Sequence, residues 1–535
     1  TSQNTIKMKK TTLLTLLLIA FTGFTALAQN TVYVSATGAG NMDGTSESTA
    51  FGNFGVAMSN ITSDGDKLII IGTITPDGAN LTSKNFAFSI EGLNTSSTLS
   101  GNGGTGRLFT INGATSANVT FKNLTFSNNT TTLAGGSVFF SNGAGATVTF
   151  NNCTLTGNSV SNGAGGGAIF FANGTLNIID SLFESNSSIE EAGAIFGQSG
   201  TISITNSIFN SNAVTTRGGA IYNANANLTI TDCVFENNIS LNNGGAIVAA
   251  SSGNLTVSGS LFNGNSGNRG GAIAVLATDS DFVMSNSTFV NNSATLDGGA
   301  MYLGGANVNS SITNTTVFGN TVTNATLNQS KGAGIRMEGA RPFTIQNSLI
   351  YGNLVTNDTE TAGSDIGIVP NVVLNLSHSI TKIIEPALED TAGDDFSTSI
   401  VNADLTSSNL MFMTASGYVE YDSVSSPEDS PIDFGSDGND AGSWNSGLAL
   451  SLNKQDVLAA NVLVFQNKAS NSIEISHTIS TPLTVEVYSI LGTKLLGLKN
   501  VAQRQSIQAN SLASGIYILK GKSNGKSFSK KFIIN

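Results

Sequence analysis

The chain restates one phrase at nearly constant intervals. Aligned on the first residue of an F-x-x-N motif, nine copies begin at Phe126, Leu155, Phe183, Phe209, Phe235, Phe262, Phe289, Val317 and Ile350. Their spacings are 29, 28, 26, 26, 27, 27, 28 and 33 residues. Three residues after each anchor stands an asparagine: Asn129, Asn158, Asn186, Asn212, Asn238, Asn265, Asn292, Asn320 and Asn353. Self-similarity at a fixed period of this size belongs to architectures in which each repeat is one unit stacked on the last.

The residues upstream of the anchor show how a unit bends. Five before it are large apolar residues, from Phe121 and Phe150 through Ile204 and Ile230 to Ile345. Two before it are mostly small ones, including Cys153, Ser181, Ser207, Cys233 and Ser260. Both sets, and the anchor itself, read as inward-facing, yet in one unbroken strand residues five apart face opposite sides. The chain must bend between them. At that bend, three before the anchor, stand Asn123, Asn152, Asp180, Asn206, Asp232, Gly259, Asn286, Asn314 and Asn347, residue types that tolerate unusual backbone angles. Stacked coil over coil, their amides could form a hydrogen-bonded ladder. A second motif, GGA followed by an apolar residue such as Ile169, Ile195, Ile221, Ile247 or Ile273, adds a further short strand behind a tight glycine corner.

Three short strands per coil of about 26 residues describe an all-β solenoid, a parallel β-helix whose coils lie about 4.8 Å apart. No 3.6-residue periodicity is present, and β-branched, Gly-rich units are poor helix formers, so an all-helical repeat is excluded. The same geometry disposes of a disulfide. Cys153 and Cys233 occupy one inward column three coils apart, about 14 Å, whereas a bridge needs Cα atoms within about 7 Å. Both read as buried small residues.

Composition adds the compartment and excludes a partner. Of 535 residues only 11% are charged, but 39% are hydrophobic, too many for a disordered chain. The net charge of -12 speaks against nucleic acid, which needs clustered Lys and Arg. Lys7, Lys9 and Lys10 precede the apolar run "LLTLLLIAFTGF" and the "ALA" of Ala26–Ala28, the pattern of an export signal over 1–28, with Met8 as its natural start. The apolar run is too short to span a bilayer, and no later segment does so, so the mature chain is expected to have no transmembrane segment.

Outside the repeats, Phe51, Phe54, Met58 and Ile61 fall at helical spacing and predict a capping helix within an N-terminal region of cap and first coils, 29–110. Regular repeats run over 111–353 and decay into irregular coils and a cap over 354–445. Residues 381–460 carry 14 acidic and 2 basic side chains, whereas 461–535 carry 2 and 9, which marks a linker at 446–460. The last segment reads as short strands and turns, enough for a small Ig-like β-sandwich.

These motifs resemble known families. The paired GGA-(I/V/L) and F-x-x-N motifs are similar to those of chlamydial polymorphic outer-membrane proteins, whose passenger regions are β-helical adhesins. The opening "TVYVSATGAGNMDGTSESTAFGNF", with "NSLIYGN" and "SPIDFGSDG", resembles secreted bacterial right-handed parallel β-helix proteins of the choice-of-anchor type. No segment alternates for long enough to form the membrane barrel that ends a chlamydial-type protein. In the tail, "VYSILG", Gly515-Ile516-Tyr517 and the terminal Lys530-Lys531-Phe532 resemble the type A sorting domain of the Bacteroidota type IX secretion system. Such a domain often opens on a Pro-Asn-Pro turn, where this chain has Gln466-Asn467-Lys468. The resemblance implies passage across the outer membrane by the type IX machinery, then release or anchoring to surface lipopolysaccharide.

Candidate sites are few, because residues 101–353 hold only 17 charged side chains. Asp180 and Asp232 share the corner column two coils apart, and Glu184 and Glu236 share the column after the anchor. Stacked carboxylates could bind Ca²⁺ or act as an acid/base pair, but Asp can equally replace Asn in a corner ladder. Arg217 and Arg269 lie at another corner, and Glu190 and Glu191 read as solvated loop residues. "DFGSDGND" offers Asp433, Asp437 and Asp440 as Ca²⁺ ligands without completing a loop pattern. No other cofactor is indicated. His378 and His477, the only histidines, give no triad or zinc site. Outward Thr and Ser pairs such as Thr229/Thr231 form a flat polar face. Phe170, Phe196 and Tyr222 follow the GGA-I column as an aromatic stripe that either stacks on sugar rings or packs in the core. The function expected is that of a secreted or cell-surface, adhesin-like protein binding glycans or host and surface proteins; the alternative is a polysaccharide-active enzyme, a Ca²⁺-dependent lyase or a glycoside hydrolase.

Overall fold

The computed structural model describes most of residues 29–381 and 462–534, with a few short strands in between. The export segment 1–28 and the linker 446–460 lie outside the described residues. The chain divides into two compact units after Asn445.

The coil around Phe235 shows the plan of the first unit. Asn227–Thr231 lies on a first face, Val234–Glu236 on a second, Ile239–Ser240 on a third and Ile247–Ala249 on a fourth. Each strand pairs in parallel with its equivalents in the neighbouring coils, giving sheets of 13, 13, 9 and 12 strands among the described residues. Four strands per coil replace the three expected from sequence. The extra one follows the repeated Asn and is only two residues long, as in Ala213–Val214, too short to display a period of two. Sequence columns are rows of physical neighbours: Phe209 pairs with Phe235, and Phe235 with Phe262.

The core is a stack of these rows. Phe183, Phe209, Phe235, Phe262 and Phe289 are fully buried, with successive ring centroids 4.7, 4.8, 4.9 and 4.5 Å apart. Ring stacking thus repeats at the pitch of the backbone ladder, and both act along one axis.

The parity break is a left-handed residue. All nine corner residues three before the anchor have φ between 48° and 59°. A second left-handed column, which the motif alignment does not single out, lies two after the anchor: Asn128, Gly157, Ser185, Ser211, Asn237, Gly264, Asn291, Gly319 and Gly352, with φ between 51° and 67°. The GGA pair makes a third corner and divides the work. Gly218 has φ 74°, whereas a Cβ on Gly219 would stand 1.9 Å from the carbonyl oxygen of Gly245 in the next coil. The first glycine answers a backbone angle, the second the closeness of two coils.

Ser211 holds φ 56° with an ordinary side chain, where four other coils use Gly. A left-handed conformation costs an L-residue roughly 1–2 kcal/mol, offset in part by the greater unfolded-state entropy of Gly. Ser211→Gly is therefore expected to stabilise the protein by about 0.5–1 kcal/mol. Thermal denaturation of the full chain reads this as a rise in Tm, and an unchanged or lower Tm removes the strain argument.

At the N-terminal end, one six-residue helix, Phe54–Ser59, buries Phe54, Ala57 and Met58. Asn53 Oδ1 accepts from the Val56 N–H at 2.9 Å and caps it. Phe51 precedes this cap and bridges to Val34 instead of joining the helix. Among the described residues no helix is long and apolar enough to cross a membrane.

The second unit has two antiparallel sheets. One holds Val462–Asn467, Ser472–His477 and Arg504–Gln508; the other holds Lys494–Leu498, Thr484–Ser489, Gly515–Ser523 and Lys526–Ile534. Ile473 and Ile475 of the first sheet share one core with Val485, Val487 and Leu519 of the second.

Candidate functional site

The repeated Asn after each anchor is buried, and from Asn158 to Asn353 its side-chain hydrogen bonds run from coil to coil. Asn238 Nδ2 donates to the Phe209 carbonyl of the preceding coil and to Asn265 Oδ1 of the next, each at 2.9 Å. Its own Oδ1 accepts from the Asn212 N–H at 3.1 Å and from Asn212 Nδ2 at 3.0 Å. The pattern repeats to Asn353, which donates to Asp365 Oδ1 from its N–H at 2.9 Å and its Nδ2 at 2.8 Å. Asp365, 1% exposed, occupies the next rung. Sequence reading missed it because it lies only 12 residues beyond Asn353 and outside the F-x-x-N pattern. This column is a structural device.

The four candidate acids lie beside that ladder at the surface. Asp180 and Asp232 hold left-handed corners, separated by Asn206, whose Nδ2 donates to Asp180 Oδ1. Glu184 Oε1 accepts from Asn210 Nδ2 at 3.2 Å, and Glu236 Oε1 from Asn263 Nδ2 at 2.8 Å. Each of these three is bonded to an amide one coil on, and no arginine stands among them. Asp433, Asp437, Asp440 and His378 lie outside the described residues. No cluster of three His, Cys, Asp or Glu able to hold a metal occurs among the described residues.

The arginines lie at the corner between the third and fourth faces and on those faces. Arg217 pairs with Glu191 at 2.8 Å and Arg269 with Asp297 at 3.3 Å, each bridging adjacent coils just before the glycine corner. Glu191 is thus ion-paired, not merely a solvated loop residue. Beside these pairs runs the aromatic stripe, outside the main core, with Tyr222 and Phe196 packed in a cluster of their own with Val248, Ala274 and Tyr302. Phe139, Phe170, Phe196 and Tyr222 stack on one another at 5.1, 4.8 and 5.3 Å. Arg107 covers Phe139 at 4.0 Å, and Arg217 lies 5.0 Å from the Tyr222 centroid. The rings therefore spend their faces on each other and on guanidinium groups and present edges outward, whereas stacking on a sugar uses a face.

A group of charged side chains gathers around Tyr302 of the fourth face. Tyr302 donates to Glu338 Oε2 at 2.5 Å, Arg336 pairs with Glu338 at 3.2 Å, and Arg269 lies 5.2 Å from the Tyr302 ring. Burial, then the hydrogen bond to Glu338, pushes the Tyr302 hydroxyl well above its ordinary range. Burial opposes ionisation of Glu338, but Tyr302 and Arg336 outweigh it and hold the carboxyl below its usual value. Tyr302 stays protonated and Glu338 ionised, so the tyrosine is a donor here and not a base. Sequence reading missed this group because its members come from separate coils at irregular spacing.

Cys153 and Cys233 are free and buried. Their N–H groups donate to Ser181 Oγ and Ser260 Oγ of the next coils, both at 3.1 Å, so the column is a second polar ladder. Burial pushes both thiols up to about 12. Neither thiol is expected to react with iodoacetamide in mildly alkaline native buffer, while both react in denaturant. Intact-mass measurement checks this, and native labelling would contradict the buried placement.

With four parallel sheets closed around one stacked core, the solenoid matches the family described as the right handed beta helix region, over residues 30–262 and 166–350. The chain belongs to the right-handed β-helix family. The tail of this β-helix protein matches the secretion system C-terminal sorting domain over residues 463–535. No curated protein matches the chain. In the tail, Gly515 and Tyr517 open one strand, and Lys530, Lys531 and Phe532 lie in the next, with Tyr517 paired to Phe532 and Leu519 to Lys530. The two tail motifs, 13 residues apart in sequence between Tyr517 and Lys530, are thus neighbours across one hairpin. This type IX sorting domain makes the β-helix protein a secreted or surface-attached one.

Proposed function

We propose that this β-helix protein is a non-catalytic, adhesin-like binder of extracellular glycan or protein, using the side of its solenoid. Its tail engages the type IX machinery, and attachment to surface lipopolysaccharide holds it at the outer membrane. The observation that supports binding over catalysis is the separation of charges. Asp180, Glu184, Asp232 and Glu236 flank the second face, while Arg217, Arg269 and Arg336 lie at the third and fourth faces and the corner between them, each in an ion pair of its own. A lyase needs a base and charge-neutralising groups converging on one substrate carbon. Here the Asn-bonded acids lie among no arginine, and the arginines are already engaged. Glycan and surface-protein arrays probed with the full chain should give saturable binding above that of an unrelated protein carrying the same tail. No signal above that control on any array would sink this reading.

A further inference from the structure

We infer that the second face between residues 180 and 265 docks a cationic, amphipathic segment of a partner protein; this rests on the binding reading above and names its partner. The repeats are most informative where they differ. The column just before the anchor holds Thr125 and Thr154, then Leu182, Ile208, Val234 and Leu261, then Thr288, Thr316 and Leu349, all in register; the last three are buried, whereas the four aliphatic residues before them are partly or fully exposed. Thr is the ordinary outward residue of a strand, and Leu is not. The four aliphatic side chains form a stripe three rungs long, about 14 Å, with Ile208 43% exposed. Across the Glu column, at the third face, Ile239 and Leu241 of the Val234 coil are 46% and 70% exposed. Scattered exposed hydrophobics are normal, whereas a contiguous patch with a polar rim marks an interaction site.

The rim is acidic. Asp180 and Asp232 lie on one side of the stripe and Glu184 and Glu236 on the other, in alternate coils about 10 Å apart along the axis. No Lys or Arg occurs between Lys122 and Arg217 or between Arg217 and Arg269, and Arg217 is held by Glu191 at another corner. Four carboxylates that no Lys or Arg pairs with among the described residues, set around an aliphatic stripe, select an apolar segment flanked by Lys or Arg and repel an acidic one. Leu, Ile and Val offer no ring to a sugar, so a peptide is the better fit.

The test uses the full chain and a fluorescent Leu/Lys amphipathic helical peptide, with its Leu/Glu counterpart as control, read by anisotropy. The Leu/Lys peptide should bind saturably and the Leu/Glu peptide should not. Ile208→Lys/Val234→Lys and, separately, Glu184→Lys/Glu236→Lys should each weaken binding about tenfold or more, some 1.4 kcal/mol, with Tm retained. Equal binding by wild type and both variants, or no peptide binding at all, overturns the assignment. If array binding persists while the peptide fails, docking falls and the binding reading stands; if both signals are absent, both fall. A glycan signal abolished by Ile208→Lys/Val234→Lys without peptide binding identifies a sugar occupant and likewise overturns the peptide assignment.

Discussion

Replacing Asn238 by alanine is expected to destabilise the protein by about 3–5 kcal/mol, at roughly 1–3 kcal/mol for each buried polar group left unpaired. The side chain makes four ladder bonds: it donates to Phe209 and Asn265 and accepts twice from Asn212. Without it, the Phe209 carbonyl and the Asn212 N–H lose their partners at 0% exposure around the site, and a small void remains beside them. Asn238→Asp should be nearly as damaging, because a carboxylate accepts from Asn212 but cannot donate onward. Urea denaturation of the full chain measures this, and a loss below about 1 kcal/mol, the net worth of one ordinary hydrogen bond, would mean that the ladder is dispensable.

Gly245→Ala is expected to do comparable harm by a different route. Its Cβ would lie 2.0 Å from the Gly271 carbonyl oxygen and 2.6 Å from the backbone of Ser266, so one coil must lift off the next. Overpacking costs 1–3 kcal/mol where side chains can yield. Here the obstacle is backbone on both counts, so a loss of about 3 kcal/mol or more, or failure to accumulate folded protein, is expected. Gly106→Ala, with nothing within 4 Å of its Cβ, is the matched control and should change stability by no more than about 0.5 kcal/mol. Equal tolerance of both substitutions, read by Tm and yield, would show that coil spacing is not set by this glycine.

The inward half of the solenoid is legible in the sequence because stacking imposes the same demand on every coil. Asn123, Asp180 and Gly259 are unlike as side chains, yet all answer one left-handed corner. The third face is not legible, since strands such as Ala213–Val214 are shorter than the period that would reveal them. Asp365 is hidden for a related reason: at the end of the ladder only an acceptor is needed, so the residue type changes and the spacing with it. Outward residues answer to no shared constraint. The ion pair of Glu191 with Arg217 and the Tyr302–Glu338–Arg336 group become visible only when coils are superposed. The aliphatic run Leu182–Ile208–Val234–Leu261 is present in the alignment, but as a departure from Thr at one column and not as a motif.

The proposed function is binding without cleavage. The most direct measurement incubates the full chain with pectin and with alginate, with and without Ca²⁺, and follows the ultraviolet absorbance of the unsaturated uronate that β-elimination leaves. No rise above a protein-free blank is predicted under any of these conditions, whereas a robust, Ca²⁺-dependent rise would contradict the account.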